Sequence, residues 1–371
     1  MNLPQNQLID VSIFKRLVRE NLSTSYKLFW LSGIYKEIIQ GVQVISFRKI
    51  VCRMIIAAWF PLVEYHLNFG FSDQLYNVVM LIYHRYKFAS NVEEKELLLF
   101  FDDLKDVEIE KRMAELYKYV PYRLLAPFFS SQLVRIEDYK KNRIITELSQ
   151  LSNNALYKID SVNKMITINK NWFDYIYNNQ VIVNGWLSFE LAHYLQKRNP
   201  NVPAIIFKLN AQCRESLGNA TKFWNEINNI SKLNDIYTGK ELIKENFNTY
   251  GELSIDHFIP WSFVLHDEMW NLIPTFKNIN SSKNNKLPQL DLYIDKFCNI
   301  QYNAFNIMKS NNAFKHCIED YLTINKKIDI NLSLHKDITK EEFTDSIKSV
   351  IIPLFQIASN QGYGLWHNHI S

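Results

Sequence analysis

Between Leu253 and Pro288 the chain reads LSIDHFIPWSFVLHDEMWNLIPTFKNINSSKNNKLP, a stretch whose polar side chains stand at intervals that chemistry can use: Asp256, His257, Asn271, Asn280 and Lys283. A carboxylate with an amide oxygen makes a small, hard oxygen site. Such a site suits Mg²⁺, which keeps several waters and completes its shell from one or two protein oxygens and a phosphate. An imidazole with an ordinary pKa of about 6.5 takes a proton from water near neutral pH. An ion that neutralises developing charge, set beside a base and a phosphate, is the equipment of phosphodiester hydrolysis. Asp256 and Asn280 are then the expected metal ligands and His257 the base. Asn271 fixes the loop or the imidazole through its amide, and Lys283 contacts a phosphate.

Three elements must position these groups. Ser254 to Ile259 reads as a short strand ended by Pro260, whose nitrogen cannot donate to a ladder. Trp261 to Glu268 follows as a loop. Met269 to Phe276, carrying Pro274, suits a second strand at a sheet edge, so the two pair as a hairpin. Asn and Ser residues from Asn278 onward offer capping oxygens to a helix that runs to about Lys286 before Pro288 stops it. Neighbours on a strand face opposite sides unless the following loop breaks the pleat, so Asp256 is expected toward the helix and His257 toward the cleft.

The run Asp256-His257-Phe258-Ile259-Pro260, followed by Asn271, Asn280 and Lys283, resembles the HNH endonuclease superfamily, whose core is a ββα-metal finger. It is especially similar to the form found in the RNA-guided CRISPR nucleases. The resemblance implies that Asp256 and Asn280 bind the metal, that His257 is the general base and that Asn271 is the structural middle residue of the motif. It implies Mg²⁺, or Mn²⁺, as cofactor. Many members brace the finger with two Cys-x-x-Cys knuckles, but the cysteines here, Cys52, Cys213, Cys298 and Cys317, are far apart, so no structural zinc is expected. Packing must hold the finger instead, with Trp261, Phe263, Trp270 and Phe276 as candidates.

At 371 residues, with 47% hydrophobic and 14% aromatic content, the chain has more than one core's worth of apolar residues and is not disordered. With only 9 glycines and 10 prolines, a largely helical body is expected. The expected fold is mainly α: a helical body with a small inserted ββα-metal module and a short β-hairpin over Leu156 to Asp160 and Met165 to Asn169. The expected organisation is an N-terminal helical domain (1–120), a mixed region (121–250), the finger (251–290) and a C-terminal helical region (291–371). Ser72 and Asn91 are expected helix caps, Asn171 another, and Thr339 with Glu342 a capping box for the last helix. The net charge of +4 permits a nucleic-acid partner without requiring one.

Lys197, Arg198, Lys208 and Arg214 could line a groove for DNA or RNA, with a structural linker as the competing reading. Arg135, Lys140, Lys141 and Arg143 read as a solvated helix face. The tail histidines His367 and His369 could hold a metal, although a frayed or docked terminus suits them better. Spread cysteines, no signal-peptide pattern and no long apolar run point to the cytoplasm, with no membrane partner. The expected function is a metal-dependent nuclease acting on nucleic acid, DNA first, of a type that resembles restriction or phage-defence enzymes. An activating protein or a second copy is a further partner to expect. The alternatives are a nucleic-acid-binding or regulatory protein with a gated or inactive finger, and an HNH ribonuclease.

Overall fold

A computed structural model describes residues 3–20, 23–212, 214, 216–310, 317–324 and 338–368. The chain divides into two compact units, Met1–Pro200 with Ile205–Gln212, and Asn201–Ala204 with Cys213–Ser371. Helices dominate both, as the spacing of apolar residues implies. No helix among the described residues is long and apolar enough to cross a membrane.

In the first unit the helix Tyr26–Ile38 buries Leu28, Phe29, Trp30, Leu31, Ile34 and Ile38 against the helix Phe47–Trp59. Gly33 permits this approach, since a Cβ there would lie 2.9 Å from Ile50 Cγ2. Ser46 caps the second helix, its hydroxyl accepting from Lys49 N at 3.2 Å. Pro61 has no N–H to give, and the helix widens there into a π turn over Phe60–Glu64.

The hairpin forms as expected, and a third strand joins it: β1 (Val44–Ser46) pairs antiparallel with β3 (Met165–Ile168), which pairs with β2 (Tyr157–Asp160). Three residues are too few to show a period in the sequence, so β1 is visible only through its long-range partner. Two expected caps are displaced. The helix Leu75–Tyr86 begins after Gln74 rather than Ser72, and Lys170–Asn178 begins after Asn169 rather than Asn171. Asp73 explains the first, because its carboxylate takes Ser25 N and Leu75 N and thereby organises the turn itself. Asn91 likewise does not cap, as the helix Glu94–Asp103 starts after Glu93. On the helix Asp138–Leu151, Lys140, Lys141 and Arg143 pair with Glu137, Asp138 and Glu147, as a solvated face would.

In the second unit β4 (Leu253–His257) pairs antiparallel with β5 (Leu272–Phe276), placing Ser254 opposite Thr275, Asp256 opposite Ile273 and His257 opposite Leu272. The helix Lys277–Lys283 follows β5 directly. No Asn or Ser side chain caps it; Lys277 N instead donates to Glu252 O at 2.8 Å, and Asn284, at φ 47°, ends it short of Lys286. Phe263, Trp270 and Phe276 are buried in the core, while Trp261 is half-buried. Further bracing comes from outside the motif: Tyr250 stacks on Phe276 at 5.0 Å and Phe297, on the helix Leu290–Ser310, meets Phe258 at 4.3 Å.

Gln301 on that same helix donates to Leu272 O and Met269 O, and its own oxygen accepts from Tyr321. The last helix, Lys340–Asn360, carries the capping box of Thr339 and Glu342. Beyond it the chain returns to the finger. Leu287 N donates to Gly364 O, Trp366 N donates to Leu287 O, and the Trp366 ring packs on Tyr237 at 5.2 Å. His369 lies outside the described residues, so the two-histidine reading of the tail falls there with it.

Candidate active site

The hairpin and the finger helix bring Asp256, His257 and Asn280 to the wall of one cavity of about 310 Å³, lined also by Arg214, Trp261 and Asp267. Asp256, bonded to Lys283 of the finger helix, and its neighbour His257 both line this space. Asp256 is only 2% exposed. Its Oδ2 accepts from the Tyr237 hydroxyl at 2.6 Å and its Oδ1 from Lys283 Nζ at 3.0 Å.

Asn280 sits on the helix with its amide nitrogen turned inward, donating to Ile255 O and Ser254 Oγ, both at 2.9 Å. Its Oδ1 has no hydrogen-bond partner among the described residues, and the residue lines the cavity.

A divalent ion fits this donor set. The strand supplies one carboxylate, which has lone pairs beyond the two hydrogen bonds it accepts, and the helix supplies one amide oxygen fixed in orientation. No group of three or more His, Cys, Asp or Glu side chains that could hold a metal occurs among the described residues. Two oxygens with the rest of the shell from water and phosphate is the coordination Mg²⁺ accepts.

Asn271 does its work elsewhere. Fully buried, it accepts from Ile259 N through Oδ1 and donates to Ile259 O through Nδ2, each at 2.9 Å, while its own carbonyl accepts from Phe258 N. It therefore clasps the loop at both edges of one peptide position, the first of the two roles expected of it. Lys283 departs from its expected role as a phosphate contact. It is 0% exposed, and its ammonium donates to Asp256 Oδ1 and, at 2.7 Å, to the carbonyl of His257. Burial pulls its pKa down and Asp256 pulls it up. The group ties the Asp256 carboxylate to the strand end.

The basic residues upstream separate. Lys208 is 0% exposed beneath the Tyr65 ring, which rules it out as a surface phosphate contact. Arg198 lies 3.9 Å over the Tyr194 ring and donates to Ser23 O. Lys197 is exposed on the last turn of the helix Gln180–Arg198. Arg214 alone of the group lines the cavity, exposed, with its guanidinium 4.7 Å over the Trp261 ring.

Two site residues escaped the sequence reading. Tyr237 reaches Asp256 from a tight turn in which Asp235 takes Thr238 N and Oγ1 and Gly239 adopts φ 73°. Nothing in the sequence ties that turn to the motif. Asp267 accepts from His257 Nε2 at 2.7 Å. Its loop offered a signal, a carboxylate between His257 and Asn271, but Glu268 offered the same one. His266, expected to be a loop residue, is one. It packs on Trp270 at 5.1 Å, and burial, with His257 nearby, pushes its pKa down to about 4. It is therefore neutral at physiological pH.

Residues 235–289 match the family model described as HNH endonuclease. The match takes in the Tyr237 turn, the hairpin and the finger helix. Neither the curated proteins nor the solved structures yield a match to the chain.

Proposed function

We propose that the 235–289 segment is the catalytic module of a metal-dependent endonuclease that hydrolyses phosphodiester bonds of DNA. The observation that carries this reading is the convergence of a carboxylate, an orientation-locked amide oxygen and an imidazole on one cavity within a segment of HNH type. His257 Nδ1 takes the proton of the attacking water, whose oxygen bonds to phosphorus as the bond to the leaving sugar oxygen breaks. Asp256 and Asn280 hold a divalent ion, Mg²⁺ or Mn²⁺, which supplies charge neutralisation at the phosphate and at the leaving oxygen. Arg214, stacked on Trp261 at the cavity, is a cation placed for the nucleic-acid backbone.

The test is cleavage of supercoiled plasmid by the full chain with Mg²⁺ or Mn²⁺, beside His257→Ala and Asn280→Ala. Metal-dependent nicking or linearisation by the wild type, reduced at least about a hundredfold in His257→Ala, is expected from the loss of a general base. Binding of DNA without cleavage in any metal overturns the enzyme reading in favour of a binding protein. Cleavage confined to RNA overturns the substrate.

A further inference from the structure

The geometry points to Asp267 as a positioning residue for the general base: its carboxylate fixes the His257 ring and its tautomer, leaving Nδ1 as the basic nitrogen. This rests on the nuclease reading of the site and goes beyond the metal, base and middle-asparagine set.

A carboxylate has only acceptor sites, so at 2.7 Å the proton between Asp267 Oδ1 and His257 Nε2 belongs to the imidazole. A neutral imidazole carries one N–H, and once that sits on Nε2 the lone pair is on Nδ1. Nδ1 has no hydrogen-bond partner among the described residues, while the ring is buried to 5% exposure and lines the cavity. The pair is therefore a base with an orienter behind it. The carboxylate also stabilises the imidazolium that forms when Nδ1 accepts a proton.

The loop is built to deliver this contact. Asn271 clasps Ile259 and closes the loop at its base. The short helix Trp261–Val264 ends at Leu265, which takes a left-handed φ of 56° and turns the chain back toward the strand end. Met269 N donates to Asp320 Oδ2 at 2.8 Å, anchoring the outgoing side. Asp267, between these anchors, is one-third exposed and meets the imidazole at Nε2.

The experiment compares wild type, Asp267→Ala and Asp267→Asn, each checked for an unchanged thermal midpoint. In metal-free protein selectively labelled with ¹⁵N-histidine, wild type is expected to show a downfield, slowly exchanging Nε2–H resonance for His257, assigned by its loss in His257→Ala. Asp267→Ala should lose it, and Asp267→Asn, whose amide oxygen still accepts, should retain it. In plasmid cleavage kcat should fall on the order of 10–1,000-fold in Asp267→Ala, with KM within about twofold and a smaller loss in Asp267→Asn.

An unchanged resonance in Asp267→Ala, or its absence from wild type, overturns the inference, as does a kcat within about twofold of wild type. If Asp267→Ala does not fold, Asp267→Asn decides: loss of the resonance there overturns it. If wild type shows the resonance but cuts nothing, the nuclease reading fails while the pairing stands.

Discussion

Lys283 shows how burial changes the meaning of a residue type. A lysine three positions after Asn280 reads as a phosphate contact, yet its ammonium is enclosed between Asp256 and the His257 carbonyl. Removing one partner from a buried ion pair strands the other, at a cost of about 3–5 kcal/mol. Lys283→Met should therefore lower the stability of the second unit by about that amount, read as a shifted urea midpoint at constant slope. An unshifted midpoint would return the ammonium to the substrate side. A phosphate-contact role would instead weaken substrate binding and leave stability alone.

At the scale of elements, one side chain closes the loop between β4 and β5 at its base. Asn271 satisfies the N–H and the C=O of Ile259, both buried, as a second strand would. Each group left unsatisfied costs about 1–3 kcal/mol, so Asn271→Ala should cost about 2–6 kcal/mol. Amide exchange at Ile259 should speed up together with that of Phe258. Unchanged exchange at Ile259 would show that the clasp is dispensable. The loop carries Asp267 and Trp261, so the clasp also fixes where the carboxylate that meets His257 stands. Helix packing supports the finger as well, through Phe297 on Phe258 and Gln301 on the Leu272 carbonyl.

At the scale of the molecule, the first unit carries a titration of its own. Burial pushes the Lys208 pKa down to about 7. Between there and the unfolded lysine value of about 10.4, the unfolded chain binds a proton that the folded chain has released. By linkage, stability rises with pH through that window, and below it the folded state bears the cost of a buried charge. The thermal midpoint of the first unit, compared at about pH 7 and about pH 9, should rise in wild type, and Lys208→Met should flatten the rise while raising the lower value. Equal slopes in the two proteins would remove Lys208 as the cause.

Much of the finger was legible in the sequence because its information is local. Strand, loop, strand and helix are set by alternation, by Pro260 and by spacing within one stretch, and the donor atoms that Asp256, His257 and Asn280 offer follow from residue type. The mainly helical body was legible from periodicity, and the Thr339–Glu342 box from two residues a turn apart. Tertiary structure alone decided which groups face which. It enclosed Lys283 and Lys208, gave Tyr237 to Asp256 and added β1 to the hairpin. It also chose Asp267 over Glu268 as the partner of His257. These outcomes depend on desolvation and on contacts between residues distant in sequence, or on a loop path fixed by side chains outside it. A carboxylate or an ammonium has the same letter in either environment; only the surrounding fold determines whether it meets solvent, a substrate or another buried charge.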